Sequence, residues 1–144
     1  MTPIFSKYEP GMEYGSHVDS ALMGTGQKMR SDVSVTIFLN EPDSYEGGQL
    51  MIGLPGGEQP VKLPAGAAVV YASTTLHRVA PVTSGVRLAA VTWVQSFVRD
   101  ELMRQILYDV KTASRMIAAK APESPEARLL YKSHANLLRQ VAEP

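Results

Sequence analysis

The sequence predicts a mainly β domain of sandwich, jelly-roll or barrel type followed by a pair of α-helices. Three observations carry this. Residues before about 98 alternate short β-branched or aromatic runs with closely spaced turn signals. After that point apolar residues recur at helical spacing. Finally, 144 residues with 44% hydrophobic content suit one domain with a real core.

Taken in order, the β region offers strands at 31–39, 49–52, 60–63, 67–72 and 86–94. They are separated by EPDSYEGG, LPGGEQP, LPAG and PVTSG, whose glycines and prolines favour reversals. Many short strands at such spacing suggest a closed or double-layered β fold. The first helix places Met103, Ile106, Leu107, Val110 and Ile117 on one stripe, with Asp100 positioned to cap its start. The second starts at Ser124, has Pro125 in its first turn, and carries Leu130, His134, Leu137, Leu138 and Val141 on one face. The expected organisation is a β core over 1–98 and a helical extension over 99–144 packed on the same domain.

Composition narrows the chemistry. Fourteen basic and fourteen acidic residues leave no net charge, so neither nucleic acid nor a membrane surface is an expected partner. No apolar run approaches the roughly 20 residues of a membrane span, and the amino terminus lacks the pattern of a secretion signal. The expected setting is cytoplasmic, with a small-molecule or peptide substrate. A homodimer is one candidate assembly. With no cysteine, a metal site must use histidine and carboxylate, which favours iron, manganese, zinc or copper.

Within YGSHVDS, His17 and Asp19 stand two apart, so on a strand they would project from one face. Such a pair occurs often by chance, so it needs a third ligand. There are three histidines. His134 lies on a helical apolar stripe, where a packing role is the simpler reading. His77 follows a strong strand and the STT turn, at an expected strand edge or mouth, and a β-barrel can bring it beside His17. Ten positions later, Arg87 opens VRLAAVTWV and shares a face with Ala89, Val91 and Trp93. Turned inward, it would point into a small apolar pocket and require an arriving carboxylate; turned outward, it would face water beside Thr83 and Ser84.

The blocks YEPGMEYGSHVD, RSDVSVTIFLNEP, YEGGQL, VKLPAGAAVVYASTTLHRVAPVTSGVRLAAVTWVQS and VRDELMRQILYDV together resemble the PKHD-type hydroxylases. These are Fe(II)- and 2-oxoglutarate-dependent dioxygenases related to the prolyl 4-hydroxylase catalytic domain. The resemblance implies a double-stranded β-helix, or jelly roll, with Fe(2+) held by His17, Asp19 and His77 and the far carboxylate of 2-oxoglutarate held by Arg87. It implies O2 as oxidant, L-ascorbate as a reductant for stray ferric iron, and a link to iron uptake or iron homeostasis. Tyr8 is expected near the cosubstrate, with Tyr14 at a matching aromatic position. Trp93 is placed either as a wall of the site or as core, and the segments 74–76 and 20–28 as substrate-contacting loops. Relatives of this type carry structure ahead of the HxD segment, so the N-terminal part of the family fold is expected to be missing, leaving outward-facing Val33, Val35, Ile37 and Leu39 less well covered. The alternative is a non-catalytic, cupin-like jelly roll or a truncated inactive copy. Against the cupin reading, no HxH grouping is present.

Overall fold

A computed structural model describes residues 2–26 and 28–143. The chain forms two compact units, the first ending at Gln95 and the second beginning at Ser96.

The first unit holds β1 (Ile4–Tyr8), β2 (Tyr14–His17), β3 (Leu22–Met23), β4 (Met29–Arg30), β5 (Val33–Phe38), β6 (Tyr45–Gly47), β7 (Leu50–Leu54), β8 (Gly57–Val61), β9 (Ala68–Ala72), β10 (His77–Val79), β11 (Val82–Gly85) and β12 (Arg87–Val94). Two four-stranded antiparallel sheets run β1-β12-β5-β9 and β2-β10-β7-β8, with two ribbons, β11-β6 and β3-β4. From β5 onward the chain passes repeatedly from one large sheet to the other, so most neighbours are distant in sequence. This is the winding of a jelly roll. The core under the second sheet is Leu50, Ile52 and Val79, with Tyr8, Val61, Val69 and Tyr71 packed against it.

The polarity of the first sheet is unusual for a half-buried sheet. Alternation along β5 buries Ser34, Thr36 and Phe38, while Val33, Val35 and Ile37 on the other face are half-buried and Leu39 is exposed. Outward-facing Phe5, Val70, Leu88 and Val94 are exposed as well. The less complete cover expected for the outward side of β5 is therefore observed, and polar side chains occupy the inside.

Strands β1, β2, β3, β4, β10, β6 and β11 fall outside the sequence-derived set; the last two lie in stretches that read as turns. They form because Gly47 and Gly48, at φ +70° and +63°, adopt a conformation that residues with a side chain rarely enter. A Cβ on Gly47 would collide with the Pro81 carbonyl, and one on Gly48 would sit 3.1 Å from the Arg87 Cδ. YEGG is thus a tight ribbon that leaves room for the Arg87 stem.

The second unit is α1 (Glu101–Lys120) and α2 (Pro125–Val141), packed against each other. Asp100 caps α1 by accepting from the Met103 N–H at 2.7 Å, and the Ser124 hydroxyl caps α2 by accepting from the Ala127 N–H at 3.2 Å. Val98, Leu107 and Ala127 are its buried apolar residues. Among the described residues, no helix is long and apolar enough to cross a membrane.

Candidate active site

Strand pairing assembles the site. His17 ends β2 and His77 opens β10, and the two are direct partners in the ladder, with ring centroids 4.3 Å apart. Strand β10 lies between β2 and β7, so His77 sits at the end of an interior strand and not on a sheet edge. Asp19 lies beyond the end of β2. Its approach therefore comes not from strand alternation but from its N–H, which donates to the Ser73 carbonyl at 3.2 Å. The Asp19 carboxylate lies 3.9 Å from each imidazole Nε2, and one ligand atom from each of the three residues lies within 4.8 Å of the others.

The neighbours of these groups orient them for a cation. His17 Nδ1 is 2.8 Å from the Gly15 carbonyl and His77 Nδ1 is 2.9 Å from the Thr75 carbonyl. A carbonyl can only accept, so each Nδ1 carries a proton, which leaves Nε2, the nitrogen facing Asp19, as the atom that can ligate a metal. The Ser34 hydroxyl donates to Asp19 and lies 2.8 Å from the Ser73 hydroxyl, which fixes the carboxylate from behind. Two imidazoles and one carboxylate, with no thiolate, are a donor set suited to ferrous iron.

Arg87 lines the same cavity, which has a volume of about 260 Å³. Paired with Tyr8 in the ladder, it is 1% exposed, and its Nε has no hydrogen-bond partner. Its surroundings are rings: the guanidinium carbon lies 5.2 Å from the Tyr8 centroid and 5.8 Å from that of Phe38. Burial lowers the Arg87 pKa, opposed by Tyr45, Tyr8 and Tyr71. Those phenols are themselves held neutral. Burial raises Tyr8 and Tyr45, and pushes Tyr71 up to about 12 despite its hydrogen bond with Thr36. Among the described residues the cation thus has no ion-pair partner, and the inward orientation of Arg87 is the one observed.

His17, Asp19, His77 and Arg87 therefore line one cavity, together with Tyr8, Tyr14 and Trp93. His134 is half-buried on α2 in the other unit. Three residues around the site escaped the sequence reading: Ser34, Ser73 and Tyr71, whose ring meets His77 edge-on with centroids 4.9 Å apart. Tyr71 alternates with Val69 on the inward side of β9, a pattern visible in the sequence but indistinguishable there from ordinary core. Of the anticipated loops, 74–76 leads directly into His77 and 20–28 is framed by β3 and β4; Gln27 lies outside the described residues.

The chain matches the profile of the 2OG-Fe(II) oxygenase superfamily over residues 3–95 and belongs to that family. Within it, the chain is similar to curated PKHD-type hydroxylases. It is 54% identical over 142 residues to one from Acaryochloris marina, covering 99% of this chain and 64% of the relative. It is 55% identical over 139 residues to one from Crocosphaera subtropica, covering 96% and 63%. The chain thus spans less than two thirds of the length of these relatives. Among solved structures, it resembles a prolyl-4-hydroxylase of Pseudomonas putida, with 33% identity, a TM-score of 0.54, and coverage of 65% of this chain and 50% of that one.

Proposed function

We propose that the chain is the catalytic part of an Fe(II)- and 2-oxoglutarate-dependent hydroxylase. The observation that carries this reading is the pairing, in one cavity, of a two-histidine, one-carboxylate cluster with a buried arginine lacking a counterion. His17, Asp19 and His77 would hold the iron through Nε2, a carboxylate oxygen and Nε2. When bound, ferrous iron supplies the coupling of O2 reduction to decarboxylation of 2-oxoglutarate to succinate and to hydroxylation of a substrate C–H bond. Arg87 supplies a planar, dry fork for the far carboxylate and so fixes the long axis of the cosubstrate. Neutral Tyr8 and Tyr71 leave that cation uncompensated until the carboxylate arrives. Ser34 and Ser73 hold Asp19 in its orientation, and the Nδ1 bonds to Gly15 and Thr75 fix the two imidazole rings with Nε2 toward the metal position.

The substrate is a small molecule or a peptide, the setting cytoplasmic, and the process iron uptake or iron homeostasis, with ascorbate restoring ferrous iron after unproductive turnover. Resemblance to the PKHD-type hydroxylases supports these finer assignments.

The test is addition of ferrous iron and then 2-oxoglutarate under nitrogen, followed by oxygen. A visible charge-transfer band and subsequent succinate are expected. Tight iron binding with no band and no succinate would favour a binding protein.

A further inference from the structure

The Asp19 carboxylate straddles the space between the two imidazoles. Oδ1 lies 3.9 Å from His17 Nε2 and Oδ2 lies 3.9 Å from His77 Nε2, so a cation held between the rings finds both oxygens at similar reach. Carboxylates ligate metals through one oxygen or through two, and these distances alone do not choose between the modes. The hydrogen bonds do. Oδ2 accepts from the Ser34 hydroxyl, whereas no hydrogen bond among the described residues engages Oδ1.

The bond to Oδ2 belongs to a closed ring. A metal-binding carboxylate can only accept, so the single Ser34 hydroxyl proton is given to Asp19, and in the 2.8 Å contact between the serine hydroxyls Ser73 is the donor. The Ser73 carbonyl in turn accepts the Asp19 N–H at 3.2 Å. Each bond in such a chain polarises the next. Ser34 is 0% exposed and Ser73 3%, so water does not compete for the ring.

We infer that Ser34, supported by Ser73, is the positioning residue that limits Asp19 to one ligating oxygen, Oδ1. The inference rests on the metal site proposed above and adds what keeps that site open. Two imidazoles and one carboxylate oxygen leave room on a six-coordinate ion for a two-pronged 2-oxo acid and O2. A second Asp19 oxygen would take one of those positions. Ser34 thus acts on the cosubstrate through Asp19, without touching it.

Removing a group that only orients a ligand costs roughly 10–100-fold in metal affinity. Ser34→Ala is expected to behave differently. With its partner gone, Oδ2 joins Oδ1 on the ion, so Mn(II) affinity, read by calorimetry on the metal-free protein, stays within about threefold of the parent or rises. The 2-oxoglutarate affinity of the Mn(II)-loaded variant falls by about tenfold or more, because one open position is lost. Water-proton relaxation of the Mn(II) protein before cosubstrate is added counts the open positions directly, and Ser34→Ala is expected to hold one bound water fewer. Ser73→Ala weakens the ring but keeps the Ser34 donor, so it falls between parent and Ser34→Ala in both readings, and it carries the test if Ser34→Ala does not fold.

Equal bound water in parent and variant, or 2-oxoglutarate affinity unchanged by the substitution, overturns the inference. So does a loss of Mn(II) affinity that matches or exceeds the loss for 2-oxoglutarate, which would make Ser34 an orienting group only. A parent protein that binds Mn(II) but not 2-oxoglutarate would undo the Arg87 reading, and the water count would then decide this inference alone. A parent that takes up no Mn(II) would undo the metal reading, and the role of Ser34 with it.

Discussion

The β unit and the helical unit bury different kinds of residue. Among the described residues, the helical unit has a single buried polar side chain, Ser114, beside apolar Val98, Leu107 and Ala127. The β unit buries Arg87, His77, Asp32, Ser34, Thr36, Ser31 and Ser73 alongside its apolar core. Burying such groups works against stability unless each is matched. Some are matched internally, as Ser34 is by Asp19 and Ser73, whereas Arg87 is not. The difference separates a unit built by packing from one that gives up packing for chemistry.

The largest effect that would sharpen this contrast is loss of a metal ligand. His17→Ala, Asp19→Ala or His77→Ala is expected to lower ferrous affinity by more than about 100-fold and to abolish 2-oxoglutarate turnover, since replacing even supporting partners costs 10–100-fold. Anaerobic metal titration reads this directly. Retention of iron by Asp19→Ala would remove the chemical reason for burying the triad.

Next in size is the unmatched cation. Arg87→Ala is expected to weaken 2-oxoglutarate by roughly 30-fold to several thousand-fold, corresponding to about 2–5 kcal/mol, and to leave iron affinity in place. Arg87→Lys keeps the charge but loses the fork, so it should fall between the two. The charge-transfer band under nitrogen provides the measurement. Unchanged cosubstrate affinity in Arg87→Ala would make the buried guanidinium a structural feature only.

A smaller effect is expected in the helical unit. Asp100→Ala removes the cap bond to Met103 and should cost about 1 kcal/mol, a fall in Tm of about 2–4 °C for a chain of this size. Iron and 2-oxoglutarate affinities should not move. A change in either would mean that the helical unit has a part in the site.

What could be read in advance follows the same division. Helical signals are local: Asp100, the Ser124-Pro125 start and the apolar stripe lie within a few turns of what they determine; the Asp100 cap forms as expected, and Ser124 caps a helix that begins at Pro125. Strands β5, β9 and β12 are legible because each is a long alternating or β-branched run. Strand β1 is short and largely exposed, and β6 (YEG) and β11 (VTSG) are brief and end in glycine; they become strands only through partners elsewhere in the chain. The site divides similarly. The residue types of His17, Asp19, His77 and Arg87 announce their chemistry, and the fold brings them to one cavity. Ser34, Ser73 and Tyr71 are ordinary residues whose place depends on the pairing of β5 with β9, and that is a property of the fold.

The smallest expected effect is the most direct check on the comparison. His134 is the one histidine outside the cavity, half-buried on the inner stripe of α2. By residue type it is as able to bind a metal as His17 or His77, so only its position distinguishes it. His17 and His77 each have a carbonyl that fixes the Nδ1 proton and a carboxylate 3.9 Å from Nε2. No metal-binding cluster among the described residues includes His134. His134→Ala should therefore change stability by no more than about 1 kcal/mol, a modest packing loss. It should leave iron affinity, the charge-transfer band and succinate yield within error of the parent protein. Parallel titration of His134→Ala and His77→Ala decides the matter: if the first loses iron and the second keeps it, the triad is wrongly placed and the contrast between the two units fails with it.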